Sequence, residues 1–560
     1  MNFKNKYGFF LVAAVILASG CSKDFLNTKI DTQETPEAAA TDRGTLWVFA
    51  NAFYSPMTNG YTILDNNLFA AATDEAQQTA TSSNANYFNQ GTINANVNPL
   101  SYLYRNYYEG IRAANFFLDY SKNGRQFLAM NRDTVTDVVN YNKDIQSLAW
   151  YRAEAHIAKA YYYAELIKMY GGVPIIEKTL QQATDMYVPK STYEQLVDFI
   201  VSEIDNNKAA LQVNWKTSSY TNQDGRFSLG SALAIKARVL LYAASPLHNS
   251  TNDVTKWQKA ASASNDLINT TGLNYVLDVA NGYRNYFLGA NPLNSNETIL
   301  AIRRGANNTI EALNYPISTP GGNSGVTPSE NLVSDYEYIG IVDPVDPYKN
   351  RDPRLAASIV TNGSTWNSRV IDQSVGGSDD AAKANTSNTG YYLKKFLTDN
   401  VNLIQGATVQ NQWVAYRYAE VLLNYAEAMN EAFGADVTPV GYTLTARQAL
   451  KKVRDRASTL LPIVSVVTVT GFRTAVKHER RIELAFEDHR YWDLLRWKDA
   501  ETVLNKPVKG VRVAKVISGA FGYQVADVAS RKFLPRNYYF PFAQSEVVNS
   551  KGTLIQNTGY

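Results

Sequence analysis

The densest gathering of ionisable side chains is the run HERRIELAFEDHRYWDLLRW, residues 478–497. His478 and Glu479 open it like a zinc-protease helix, but that motif needs a second histidine where Ile482 stands. Glu487 with Arg490, and Asp493 with Arg496, are spaced i to i+3, so the run predicts a structural helix carrying ion pairs and a Trp492/Trp497 edge. Asp343, Asp346, Asn350 and Asp352 carry the oxygens of a calcium loop, yet the prolines between them fit consecutive turns better. GGNSG at 321–325 lacks nucleophile-elbow spacing, and no Gly-Lys-Ser/Thr phosphate loop appears. No motif for a metal or organic cofactor is present. A glycoside hydrolase needs only two carboxylates several ångströms apart, and that chemistry stays open.

Cys21 is the single cysteine of 560 residues. Before it stand Lys4 and Lys6, an apolar core from Phe9 to Leu17, and the small residues Ala18, Ser19 and Gly20. That core is far short of the roughly 20 residues a membrane-spanning helix needs, and the layout is that of a secretory signal. A cysteine directly after the small residues resembles the bacterial lipobox, with Ala18 in place of the usual leucine. The resemblance implies a signal peptide over 1–20, a lipidated Cys21 and a polar tether over 21–40. Each buried acyl CH₂ contributes about 0.8 kcal/mol, so two or three chains hold a protein at a membrane.

Lys+Arg number 54 against 51 Asp+Glu, a balance that gives no basic stripe for nucleic acid. Tyr, Phe and Trp make up 12% of the chain, enough for tight packing or for stacking on flat ligands. Alanine and tyrosine recur at helical spacing within 152–172, 228–246 and 413–434, for example at Ala153, Ile157, Ala160, Tyr161 and Ala164. Each has a partner segment, at 191–211, 256–269 and 445–457, and an earlier pair spans 43–57 and 102–120. The expectation is an all-α dominated fold of four tetratricopeptide-like helix pairs in a superhelical scaffold over 41–560. Loop-rich insertions at about 59–101 and 271–412 interrupt it, and the second is too long to be a bare loop. Within it ETILAIRR reads as a strand.

These segments resemble the SusD/RagB family. The resemblance is carried by RAEAHIAKAYYYAELIKMYGGVPII, PSENLVSDYEYIG, YKNRDPRL, TGYYLKKF, YRYAEVLLNYAEAMNE, RIELAFEDHRYWDLLRW and the ending YYFPFAQSEVVNSKGTLIQNTGY. It implies an outer-membrane lipoprotein facing the cell surface, with loops forming a ligand face. It also implies a partner, a TonB-dependent SusC-like barrel, over which the lipoprotein closes as a lid to deliver oligosaccharides or, in some members, peptides.

A sugar site needs aromatic faces for pyranose rings and Asn, Asp or Arg side chains for the hydroxyls. The insertions offer Asp74, Asn84, Asn86, Tyr87 and Phe88 in the first, and Tyr283, Tyr286, Tyr315 and Trp366 in the second. Tyr87 and Trp366 have the most polar surroundings and rank first. The readings are an oligosaccharide-binding uptake lipoprotein, a peptide-binding RagB-like one, a surface glycan hydrolase, or an assembly lipoprotein without a soluble ligand.

Overall fold

Small residues set how closely the helices approach. The structure, a computed structural model, describes residues 43–180, 185, 187–217, 220, 223–516 and 519–560. Cys21, the signal and the tether lie outside them. Four helix pairs pack in chain order: α1 (Arg43–Ala52) with α2 (Tyr102–Tyr120), α3 (Val138–Tyr170) with α4 (Tyr193–Asn207), α5 (Leu229–Ala244) with α6 (Val254–Asn269), and α7 (Tyr418–Phe433) with α8 (Ala446–Ala457). Each pair also touches the next, α2 on α3, α4 on α5 and α6 on α7. Gly110 of α2 faces the ring of Tyr162 on α3 so closely that an added Cβ would lie 2.2 Å from it. Tyr162 is fully buried and its hydroxyl donates to Phe53 O at 2.6 Å.

Polar caps fix the helix ends. Thr192, Ser228 and Thr445 form capping boxes at the starts of α4, α5 and α8, and Gly171 and Gly434 end α3 and α7 at positive φ. The structure extends α3 fourteen residues before the alanine–tyrosine stripe read from sequence, back to Val138.

Two insertions fold onto this frame. Residues 59–101 carry short helical turns and the strand β1 (Ala76–Gln78). Residues 271–412 carry β2 (Thr298–Ile302) and β3 (Val326–Pro328), and β2 pairs antiparallel with β4 (Trp413–Arg417), which leads into α7. The ETILAIRR strand is therefore real. After α9 (Val469–Glu483) and α10 (Arg490–Arg496) comes a hairpin of β5 (Val508–Lys515) and β6 (Phe521–Ala529). It is not among the elements expected from sequence, although VKGVRVAK alternates apolar and polar residues.

The charged run is structural, with a different pairing from the one its spacing predicts. Asp493 and Arg496 pair at 2.8 Å, and both tryptophans are buried. Glu487 does not meet Arg490, because Phe486 and Asp488 at positive φ break the helix between α9 and α10. Instead Glu487 takes Arg417 and Lys395, each at 2.6 Å. Arg417 also reaches Glu483 at 2.7 Å and Glu297 at 2.8 Å, joining β4, α9 and the second insertion in one buried ionic cluster. Burial draws the Lys395 ammonium down to about 8, against the pull of Glu487. The acidic loop resolves into turns: Asp343 accepts from the amides of Val345 and Asp346, and Asp352 caps the helix Pro353–Ser358.

Candidate functional site

The two insertions are sewn together. β1 and β3 run antiparallel, with Ala76 opposite Pro328, Gln77 opposite Thr327 and Gln78 opposite Val326. The ladder continues at both ends: the Thr79 amide donates to Gly325 O at 2.9 Å, and the Ser329 amide to Glu75 O at 2.8 Å. Beside it Asn67 and Asn314 exchange side-chain hydrogen bonds, each amide nitrogen 3.0 Å from the other's oxygen. Position 325 has to be glycine here, since a Cβ would lie 2.6 Å from Leu313 O.

On the first insertion, where it meets the start of α2, opens a cavity of about 560 Å³. Ser55, Thr58, Asn59, Asp65, Asn66, Asn84, Asn106 and the ring of Tyr102 line it. Asp65 and Asn66 adopt left-handed backbone conformations, which short Asx side chains tolerate, and so turn the loop round the opening. The Asp65 carboxylate accepts from Ser83 Oγ at 2.7 Å, from the Asn84 amide at 2.8 Å and from Asn84 Nδ2 at 2.6 Å. Tyr102 opens α2 and is 36% exposed. Its hydroxyl donates to Ile63 O at 2.9 Å, which fixes the ring at the edge of the cavity. Burial pushes that phenol above its ordinary pKa, with a further push from Asp488.

Amides, hydroxyls and one ring suit a neutral ligand rich in hydrogen-bonding groups. Asp65 is the one carboxylate among the lining residues, and its three hydrogen bonds occupy it. The cavity wall therefore lacks the carboxylate pair of a glycoside hydrolase. Among the described residues no cluster of three or more His, Cys, Asp or Glu is placed to hold a metal ion.

Of the residues singled out from sequence, Asn84 lies in the cavity wall. Asn86 is half-buried and donates to Thr81 O at 2.7 Å, and Tyr87 is 38% exposed on the same short helix, Ala85–Asn89. Phe88, Tyr283, Tyr286, Tyr315 and Trp366 are buried in the structure, and Asp74 is a buried residue in the wall of a second cavity. Asp74 is buried between Arg481 and Arg490, which hold its carboxyl well below the usual range although burial pushes it up. Phe88 packs edge-on to Phe69, ring centres 5.1 Å apart. Tyr283 accepts from Lys395 Nζ at 2.6 Å and donates to Glu483 O at 2.7 Å, inside the ionic cluster. Tyr286 is buried against Thr298 Oγ1, 2.6 Å away. Tyr315 and Trp366 meet, but as a buried edge-to-face pair with ring centres 5.7 Å apart. Tyr102, whose ring lines the cavity, was not among the residues singled out from sequence. Its signal was a tyrosine in the first turn of a helix directly following the polar first insertion.

Comparison with known proteins agrees with this architecture. A model of the SusD family matches residues 292–560, and one described as starch-binding, associating with outer membrane, matches residues 24–241. Between them they span most of the chain, which belongs to the SusD/RagB family. A SusD-like protein of Formosa agariphila is 25% identical over 380 residues, 66% of this chain and 70% of that protein. A SusD-like carbohydrate-binding protein from Bacteroides fragilis superposes with a TM-score of 0.73 at 22% identity, covering 91% of this chain and 99% of its own. A laminarin-binding SusD-like protein gives 0.64 at 22% identity, over 93% and 100%.

Proposed function

We propose that this protein is a surface lipoprotein of the outer membrane that captures an oligosaccharide in a cavity of the first insertion. In this reading it serves as the lid of a TonB-dependent SusC-like barrel and has no catalytic activity of its own. The observation that carries the proposal is the cavity between Asp65, Asn84, Asn106 and Tyr102. It offers hydrogen-bonding side chains round one aromatic ring, has a single engaged carboxylate, and is built by the first insertion and the helix that follows it. Relatives whose names record carbohydrate or laminarin binding support the ligand class, and the outer-membrane description of one matching family supports the location. Cys21 supports the lipid anchor, and family membership supports the barrel partner.

A peptide is the second reading, favoured by one feature. The cavity wall holds one ring rather than an arc of them, and asparagine side chains pair with peptide backbone as readily as with hydroxyls. Calorimetric titration with a panel of oligosaccharides and a peptide digest decides between them. Binding of one glycan class, weakened in both Tyr102→Ala and Asn84→Ala with the fold retained, supports the proposal. Binding of peptides alone moves the protein to the second reading. Glycan binding that neither substitution disturbs removes the site from this cavity, and turnover of the glycan removes the non-catalytic reading.

A further inference from the structure

Helix α2 has a cavity on each flank. Tyr102 and Asn106, one turn apart, line the cavity already described. Tyr104 and Tyr108, also one turn apart, line another of about 690 Å³. At about 100° per residue the two pairs fall on opposite sides of the helix. Arg105 stands on the ridge between them, its side chain 73% exposed, and also lines the larger cavity. Pro174 and Ile176 after α3, and the C-terminal helix Gln544–Asn549 with the turn behind it, complete the wall. Three half-buried tyrosine rings are held in place there before any ligand arrives. The centre of Tyr104 lies 4.8 Å from that of Tyr108, and Tyr170 and Phe542 meet Tyr104 edge to face. The Tyr108 hydroxyl donates to Pro174 O at 2.6 Å. Tyr187 is steadied by the Lys551 ammonium, 4.6 Å from its ring centre. Arg105, Glu546 and Asn549 face the same space, and none of them makes a side-chain hydrogen bond among the described residues. Arg105 comes no nearer to Glu109 than 3.8 Å.

The two cavities are complementary. The smaller offers amides, hydroxyls and one ring; the larger offers three rings and unengaged groups of both signs. A sugar hydroxyl both donates and accepts, so it satisfies Arg105, Glu546 and Asn549 alike, while the apolar face of a pyranose suits a tyrosine ring. Glu546 is the one carboxylate in the larger wall, which therefore also lacks the acid pair of a glycoside hydrolase. We propose that the larger cavity is a second subsite for the captured sugar chain, which passes from Tyr102 across Arg105 to Tyr108 and Tyr187. This inference rests on the capture reading above and adds a length requirement to it. Tyr102 and Tyr108 are about 9 Å apart along the helix axis, more than one pyranose spans, so only an oligosaccharide touches both. Because the rings are fixed beforehand, little of the second contact is lost to ordering them.

The test titrates the full chain in detergent with laminari-, malto-, cello- and xylo-oligosaccharides, each series running from disaccharide to heptasaccharide. Within a series that binds, affinity should rise about tenfold from the short members to the long ones. Arg105→Ala and Tyr187→Ala, at positions that are not fully buried, should remove that rise and leave the short members unchanged, whereas Tyr102→Ala weakens all of them. Hydrogen–deuterium exchange in the Glu546–Leu554 segment should slow with the long members alone. Affinity independent of length, or a rise that both variants keep, overturns the second subsite and leaves the first cavity standing. So does binding of long members without protection of Glu546–Leu554. Silence from all four series fails the capture reading, and this inference with it. Protection of that segment by a peptide digest, where no sugar protects it, assigns the cavity to peptides and overturns the sugar chain as its occupant.

Discussion

Arg490 closes on Asp74 across 416 residues of sequence, with Nε 2.9 Å from Oδ1, although Glu487 stands only one helical turn away from it in the chain. Arg481 grips the same carboxylate from α9. The first insertion is therefore held from below by the closing helices, just before the strand that joins it to the second. Removing the carboxylate would leave two guanidinium groups buried beside the seam.

Asp74→Ala is expected to lower unfolding free energy by about 3–5 kcal/mol, the cost of breaking a buried ion pair on one side. Urea denaturation checks this. A loss under about 1 kcal/mol would show that solvent reaches the two arginines in the variant.

Glu75, the next residue, behaves oppositely. Burial raises its carboxyl from 4.5 to about 8, against the pull of Arg481 and Arg490. An acid raised in the folded state binds its proton more tightly there, so its stabilisation is full below pH 4.5 and is lost as pH rises through about 8. Relative to Glu75→Gln, the parent chain should lose stability steadily across that window. Parallel stability–pH curves for the two would contradict the assignment.

Gly60 lies in the loop that bounds the cavity, and an added Cβ would sit 2.2 Å from the indole of Trp413 on β4. Gly60→Ala should cost about 1–3 kcal/mol by overpacking and should weaken ligand binding as well, because the loop must move. Thermal unfolding and calorimetry measure the two effects separately. An unchanged melting temperature would mean that the indole swings aside freely.

Tyr102→Ala should weaken oligosaccharide binding about tenfold through loss of the stacking face. Tyr102→Phe keeps the face and gives up only the bond to Ile63 O, so it should stay within a few-fold of the parent. Equal losses in the two variants would assign the effect to the hydroxyl rather than to the ring.

Much of the frame was legible because alanine and tyrosine repeated at helical spacing bury a stripe only when helices pack against one another. The ETILAIRR strand was legible for a similar reason: β-branched and aliphatic residues run together without a helical period. The site was much less so. Residue type does not report burial, and Tyr286, Tyr315 and Trp366 carry the same rings whether they face solvent or each other. Ion-pair spacing misled at Glu487 and Arg490 because two left-handed residues, Phe486 and Asp488, interrupt what the spacing treats as one helix. Neither is a glycine, and only Asp488 is of a type that tolerates that conformation.

The β1–β3 ladder ties together points 250 residues apart, as the bond from Thr327 Oγ1 to Gln77 O shows. The entropy of closing so large a ring grows only with the logarithm of its length, at about 0.6 kcal/mol per doubling. Lengthening or trimming the irregular stretches inside the ring thus barely alters the free energy of closure, provided that the strand at Val326 returns in register. Ligand preference in such a chain can drift by insertion and deletion, at small thermodynamic penalty, while the helical frame keeps its sequence.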